Sequence, residues 1–176
     1  MDSRLHYLQG KTELVKPADL LTLLQEFHRD KLALFRRHES GARRVSSYEF
    51  NNTYQYVLAR EDAHLAWLRS AIEELAGVPD ESSTSVPLPS AGKGDAVDRA
   101  IAEDDARTAG DLLARWQPRL AGLTHARDRK MLELMLGEVA EHQRFFAQAA
   151  AGHVDLLGKR QGQGTGGGVL GVRWVE

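Results

Sequence analysis

With 176 residues and a net charge of -2, the chain suits one domain with a substantial core and offers no electrostatic case for nucleic acid or an anionic membrane surface. It contains no cysteine, which excludes disulfides, thiolate metal sites and thiol catalysis, so any metal ion must be held by nitrogen and oxygen ligands. Residues Met1 to His6 carry no apolar signal run and no stretch approaches a membrane span, so a soluble cytoplasmic protein is expected.

Residues 1–16 read as an N-terminal extension to a bundle domain over 17–157. The first helix, α1, is expected over 17–39, because Pro17 suits a first helical position and Gly41 supplies a stop. Its apolar face carries Leu20, Leu21, Leu24, Phe27, Leu34 and Phe35. Helix α2 is expected over 46–77, opened by the capping-box pattern of Ser46 and Glu49 and closed near Gly77-Val78-Pro79. Helix α3 is expected over 95–117, ending before Pro118, and α4 over 124–152. Strand signals are nearly absent, which makes the fold class all-α. The tail over 158–176 contains a glycine-rich run at 162–168 without the Lys-Ser/Thr ending of a phosphate loop, so it reads as a flexible linker. Its apolar end, 169–176, is suited to pack on its own bundle or on a neighbouring subunit, as in a homodimer, or to remain disordered.

The connections select a topology. Those between α1 and α2 and between α3 and α4 span roughly six to nine residues, favouring antiparallel neighbours. The segment from Val78 to Gly94 holds Pro79, Pro87 and Pro89. At about 3.3 Å per extended residue it is long enough to run the length of a bundle. Two antiparallel hairpins joined by one long crossover form the ferritin-like connection pattern; a disordered linker is the alternative.

Within α2, Glu61 and His64 fall on the face made by Phe50, Tyr54, Val57, Leu65, Leu68, Ile72 and Leu75. A carboxylate and an imidazole on an inward face are costly unless a partner compensates for their desolvation. Glu-x-x-His in that position is a ligand pair of di-metal carboxylate bundles. An internal repeat extends the pattern. Val57, Glu61, His64 and Leu68 match Met135, Val139, His142 and Phe146, while Leu24, His28, Lys31 and Phe35 match Ile101, Asp105, Thr108 and Leu112. A pseudo-two-fold arrangement of the hairpins would bring these positions together at mid-bundle. His6, His38, His125 and His153 show no spacing that suggests a common site.

The segment Ala59-Arg60-Glu61-Asp62-Ala63-His64-Leu65-Ala66-Trp67-Leu68 resembles the second helix of rubrerythrin-type members of the ferritin-like superfamily. Gly137-Glu138-Val139-Ala140-Glu141-His142 is similar to the fourth. The resemblance covers about 17–152. It implies two iron or manganese ions, held by one glutamate from each of two helices and one Glu-x-x-His from each of the others, with oxygen or peroxide as a small-molecule oxidant. The chain departs from that set. Glu61 and His64 match one full pair and His142 matches the second histidine, but Val139 stands where its glutamate belongs, leaving Glu138 as a substitute on the border of the face. Asp105 is the candidate on α3, and His28 stands at the expected glutamate on α1.

Each candidate also has a structural reading. Glu61 with His64 makes a buried polar pair that sets helix register. Asp105 pairs with Lys31 or Arg107, and His28 and His142 are core histidines. Tyr54 is a core tyrosine or a hydroxyl near the site. Lys31, near the centre of α1's inward face, opposes an adjacent metal ion and suits a carboxylate that holds none. Three functions follow. The first is a metal-binding ferritin-like protein with iron or manganese redox chemistry on Glu61, His64, His142, Asp105, His28 and Glu138. The second resembles the DinB-type bundle, with zinc or nickel on His28, His64 and His142. The third is a metal-free ferritin-fold structural or interaction module.

Overall fold

The computed structural model describes residues 17–82, 88–89 and 94–157. The N-terminal extension, the glycine-rich tail and part of the crossover therefore lie outside the described residues. Four helices order the chain: α1 Pro17–Arg44, α2 Tyr48–Glu74, α3 Asp95–Ala121 and α4 Ala126–Ala150. Among the described residues there are no strands.

Helix α1 packs mainly on α2 and α3 on α4, with slighter α1–α3 and α2–α4 contacts joining the two hairpins. The start of α3 lies beside the start of α2, where the Asp98 carboxylate accepts from the backbone N–H groups of Ser46 and Ser47 at 3.0 Å. At the other end Arg127 of α4 pairs with Glu74 of α2, and Arg119 of α3 with Glu26 of α1. Thus α2 ends at one end of the bundle and α3 begins at the other, so the connection between them joins opposite ends. The connection starts back along α1 and α2. Gln25 donates to the Val78 carbonyl at 3.1 Å, Arg29 pairs with Asp80 at 3.2 Å, and Arg69 with Glu81 at 2.8 Å.

Helix boundaries differ from expectation where tertiary contacts override local signals. Helix α1 runs through Gly41 to Arg44. That glycine serves close packing: a Cβ there would sit 2.6 Å from the Tyr54 hydroxyl. Ser47, one residue after the expected cap, caps α2 by accepting from the Phe50 N–H at 3.3 Å, because Asp98 holds Ser46. Helix α2 ends at Glu74, where Ala76 takes φ 57° and Gly77 N–H donates to the Ile72 carbonyl at 3.0 Å, closing the last turn. Helix α3 continues through Pro118 to Ala121. The carbonyl that Pro118 leaves unpaired belongs to Ala114, which is exposed to water, while buried Trp116 and Leu120 hold the final turn to the core. Helix α4 is shorter than expected at both ends.

The apolar core is in two parts. One, near the start of α1, contains Leu24, Phe27, Leu68, Ile72, Trp116, Leu132, Met135 and Val139. The other, near the start of α2, contains Phe50, Tyr54, Val57, Ile101 and Phe146. Along α2, α3 and α4 the residues separating the two parts are Glu61 and His64, Asp105, and His142, which form a polar layer across mid-bundle.

Candidate functional site

Glu61 is fully buried at the centre of this layer and has partners on two helices. Lys31 of α1 places its Nζ 3.0 Å from Oε1, and the His38 Nδ1 lies 2.8 Å from Oε2. His142 of α4 approaches Oε1 with its Nδ1 at 3.7 Å, too far for a hydrogen bond. Lys31, His38 and His142 are themselves fully buried. Burial pushes the Glu61 carboxyl upward, but the adjacent His38 and Lys31 outweigh it and hold the group well below the usual carboxylate range.

One turn further along α2, the His64 Nε2 stands 3.0 Å from Glu138 Oε2, yet the alignment is not that of a hydrogen bond and both ring nitrogens lack one. Burial, seconded by the Lys31 ammonium, pushes His64 down to about 4 against the pull of Glu138 and Glu61, so the contact joins a neutral imidazole to a carboxylate. Glu138 is engaged by the fork of Arg60, whose Nε lies 2.8 Å from Oε2. The Arg60 side chain is 43% exposed, so the polar layer reaches solvent between α2 and α4.

Asp105 anchors a second cluster. Its two oxygens accept from Arg37 Nε and the Tyr54 hydroxyl, and the same guanidinium reaches Asp104, which Arg107 also holds. Burial raises Asp105 above the ordinary range despite His38, Tyr54 and Arg37. Burial and the Asp105 carboxylate together raise Tyr54 well above a free phenol. The rings of His38 and Tyr54, 6.2 Å apart, link this cluster to Glu61.

Of the sequence candidates, Glu61, His64, His142 and Glu138 come together. Asp105 lies in the adjoining cluster, paired with Arg37 rather than Lys31 or Arg107. His28 does not join them: it faces the start of the crossover, with Nε2 3.8 Å from Glu81. Its pKa is lowered by burial, partly offset by Glu81. His38, set aside in the sequence, is a direct partner of Glu61. The signal was present, since His38 follows Lys31 by one heptad on the same inward face.

Two hairpins joined by a long crossover define the ferritin-like four-helix bundle. No protein-family model and no curated protein sequence matches the chain. Among solved structures, a ferritin-like, diiron-carboxylate protein from Bacillus anthracis str. Ames is similar, with a TM-score of 0.60 at 16% identity, covering 76% of this chain and 96% of that one. At that identity the likeness is one of fold, and the chain has the ferritin-like fold.

A carboxylate-bridged pair of metal ions needs a glutamate from each of two helices and Glu-x-x-His from each of the other two. Here α1 presents Lys31, α4 has buried Val139 at its glutamate position, and Asp105 of α3 is bound to Arg37. Both oxygens of Glu61 are engaged by Lys31 and His38. The charges also balance internally: Lys31 offsets Glu61, Arg60 offsets Glu138, and Arg37 with Arg107 offset Asp104 and Asp105. A di-metal centre does not fit this donor set. Among the described residues, no three His, Asp or Glu side chains are grouped as a metal-ligand set.

Proposed function

We propose that this ferritin-fold chain works without a di-iron centre, as a structural or interaction module whose central layer is neutralised by its own side chains. The observation that carries this reading is the Lys31–Glu61 contact of 3.0 Å between two fully buried groups. A buried ion pair with further hydrogen-bond partners is compensated in place, and removing either member leaves an expensive unpaired charge. The layer then fixes the mutual register of the helices. Exposed Tyr56 and Trp67, on one stripe of α2 three turns apart with Arg60 between them, offer a partner, a second copy of the chain included, aromatic contacts beside a charged group.

A second reading keeps a single iron or manganese ion on Glu61, His64, His142 and Glu138, where it would supply redox chemistry toward oxygen or peroxide. Its support is the absence of hydrogen-bond partners at both nitrogens of His64 and of His142. The three-histidine zinc or nickel arrangement loses support because His28 faces Glu81. Elemental analysis of protein purified without chelator separates the two surviving readings. The module should carry no stoichiometric metal, and after chelator treatment its Tm should be indifferent to iron(II) and manganese(II). Near-stoichiometric iron or manganese would overturn it.

A further inference from the structure

We infer that the segment 169–176 folds back onto its own bundle, at the cavity beside the start of α2, with Trp174 against the apolar lining and Arg173 among the carboxylates at its rim. This goes beyond the metal-independent reading and does not depend on it.

The cavity measures about 210 Å³ and lies between the start of α2, the start of α3 and the segment that follows α4. That is below the roughly 300 Å³ at which small-molecule and cofactor sites begin, and it suits one large side chain. Phe50, Ala149, Val154 and Leu156 supply the apolar lining. Phe50 and Leu156 belong to the core around Tyr54 and Phe146, but Val154 is 60% exposed, so the lining is left open to water. The charged groups are mostly of one sign, with Glu49, Asp95, Asp98 and Asp155 against Arg99. Asp98 is taken up by the N–H groups of Ser46 and Ser47. Glu49, Asp95 and Asp155 are exposed and enter no ion pair among the described residues.

The backbone after α4 delivers the tail to this place. The His153 N–H donates to the Gln148 carbonyl at 3.0 Å, and Gly152 takes φ 85°, which closes the helix. Asp155 then takes φ 60°, a left-handed conformation uncommon for a residue with a side chain. Residues 153–156 thereby line the cavity, and the chain leaves from its edge at Leu157. The next 11 residues, 158–168, include six glycines, a flexible tether with a root-mean-square span of roughly 20 Å. Such a tether holds its far end near the cavity at an effective concentration on the order of millimolar. The tail is also complementary in charge, because 158–176 carries Lys159, Arg160 and Arg173 against Glu176. Arg173 and Trp174 set a cation next to an aromatic ring, as the cavity sets carboxylates next to apolar groups.

The chain has no cysteine of its own, so a pair of cysteine substitutions reports this contact without interference. The full chain is made with His153→Cys and Gly171→Cys, and separately with Leu134→Cys and Gly171→Cys, Leu134 being an exposed residue of α4 away from the cavity. Each pair is prepared with the natural tail and with Arg173→Glu and Trp174→Ala added. The 153–171 pair is also prepared with Val154→Lys, which puts a cation into the lining. All these positions are exposed or lie in the tail, and circular dichroism and Tm check that the bundle is unchanged. The effective concentration of the two thiols is measured against glutathione at micromolar protein. For the 153–171 pair it should fall about tenfold with either the tail substitutions or Val154→Lys. For the 134–171 pair it should be low and indifferent to the tail sequence. A 153–171 value indifferent to either change overturns the inference. So does a sequence-dependent excess at 134, which places the segment on another face, or disulfides formed mainly between chains, which place it on a second copy.

Discussion

Glu61 and Asp105 are both buried carboxylates in one polar layer, yet their environments shift them in opposite directions. Glu61 lies well below the ordinary carboxylate range and Asp105 above it. Burial raises both, so the difference lies in their partners. Glu61 has the Lys31 ammonium to itself and His38 on its other oxygen. Asp105 shares the Arg37 guanidinium with Asp104, and its remaining donor is the neutral Tyr54 hydroxyl. Division of one cation between two carboxylates, more than depth in the core, separates the two sites.

The largest effect should come from Glu61→Gln. The side chain keeps its shape but leaves Lys31 buried without a counter-charge, which should cost about 3–5 kcal/mol in urea denaturation at pH 7. A loss below about 1 kcal/mol would mean that the pair contributes little and that the contrast with Asp105 is only apparent.

The neighbouring His64 sharpens the contrast through pH. Its folded value of about 4 lies below the 6.5 of a free imidazole. Between those values the unfolded chain binds a proton that the folded one refuses, so stability is full above 6.5 and falls as pH drops toward 4. The loss should be on the order of 3 kcal/mol. It is read as the difference between wild type and His64→Leu across that range. Parallel profiles for the two proteins would show that His64 is no buried neutral base.

Arg37→Met should cost less at pH 7, about 2–3 kcal/mol, because Asp105 can take up a proton and keep the Tyr54 contact. A carboxylate whose folded pKa is raised holds its proton better folded than unfolded, so the variant's deficit should shrink as pH falls toward 5. A deficit that grows on acidification would place Asp105 with Glu61 and remove the distinction.

Much of this architecture was legible in the sequence. The 3.6-residue periodicity located all four helices, and the proline-containing span after Gly77 gave a crossover of the right length. Periodicity also put Glu61, His64, Asp105 and His142 inside, because a position's face depends only on its own helix. Partner choice depends on more than one helix. Arg37 wins Asp105 over Lys31 through the rotation and offset of α1 against α3, which local spacing does not encode. Gly41 and Pro118 misled for a related reason. Each is a helix breaker by local propensity, but Gly41 is required by the Tyr54 ring, and Pro118 falls where the freed carbonyl meets water. His28 was correctly placed inward, but its neighbour Glu81 comes from the crossover, a segment with no periodicity to read.

The division of the polar layer between hairpins also bears on the order in which the chain folds. The Lys31–Glu61 and His38–Glu61 contacts lie within the α1–α2 hairpin, at sequence separations of 30 and 23. Those from Arg37 and Tyr54 to Asp105 join the two hairpins, at separations of 68 and 51, and exist only once they have docked. Loop closure favours the nearer contacts, so the α1–α2 pair should set its register in the transition state while Asp105 engages afterwards. Lys31→Met should therefore chiefly slow refolding, whereas Arg37→Met should chiefly accelerate unfolding. Stopped-flow chevrons of the two variants test this sequence of events, and equal division of both effects between the two limbs would contradict it. The ion pair at the centre would then act first as a gauge for aligning one hairpin and only later as a part of the finished core.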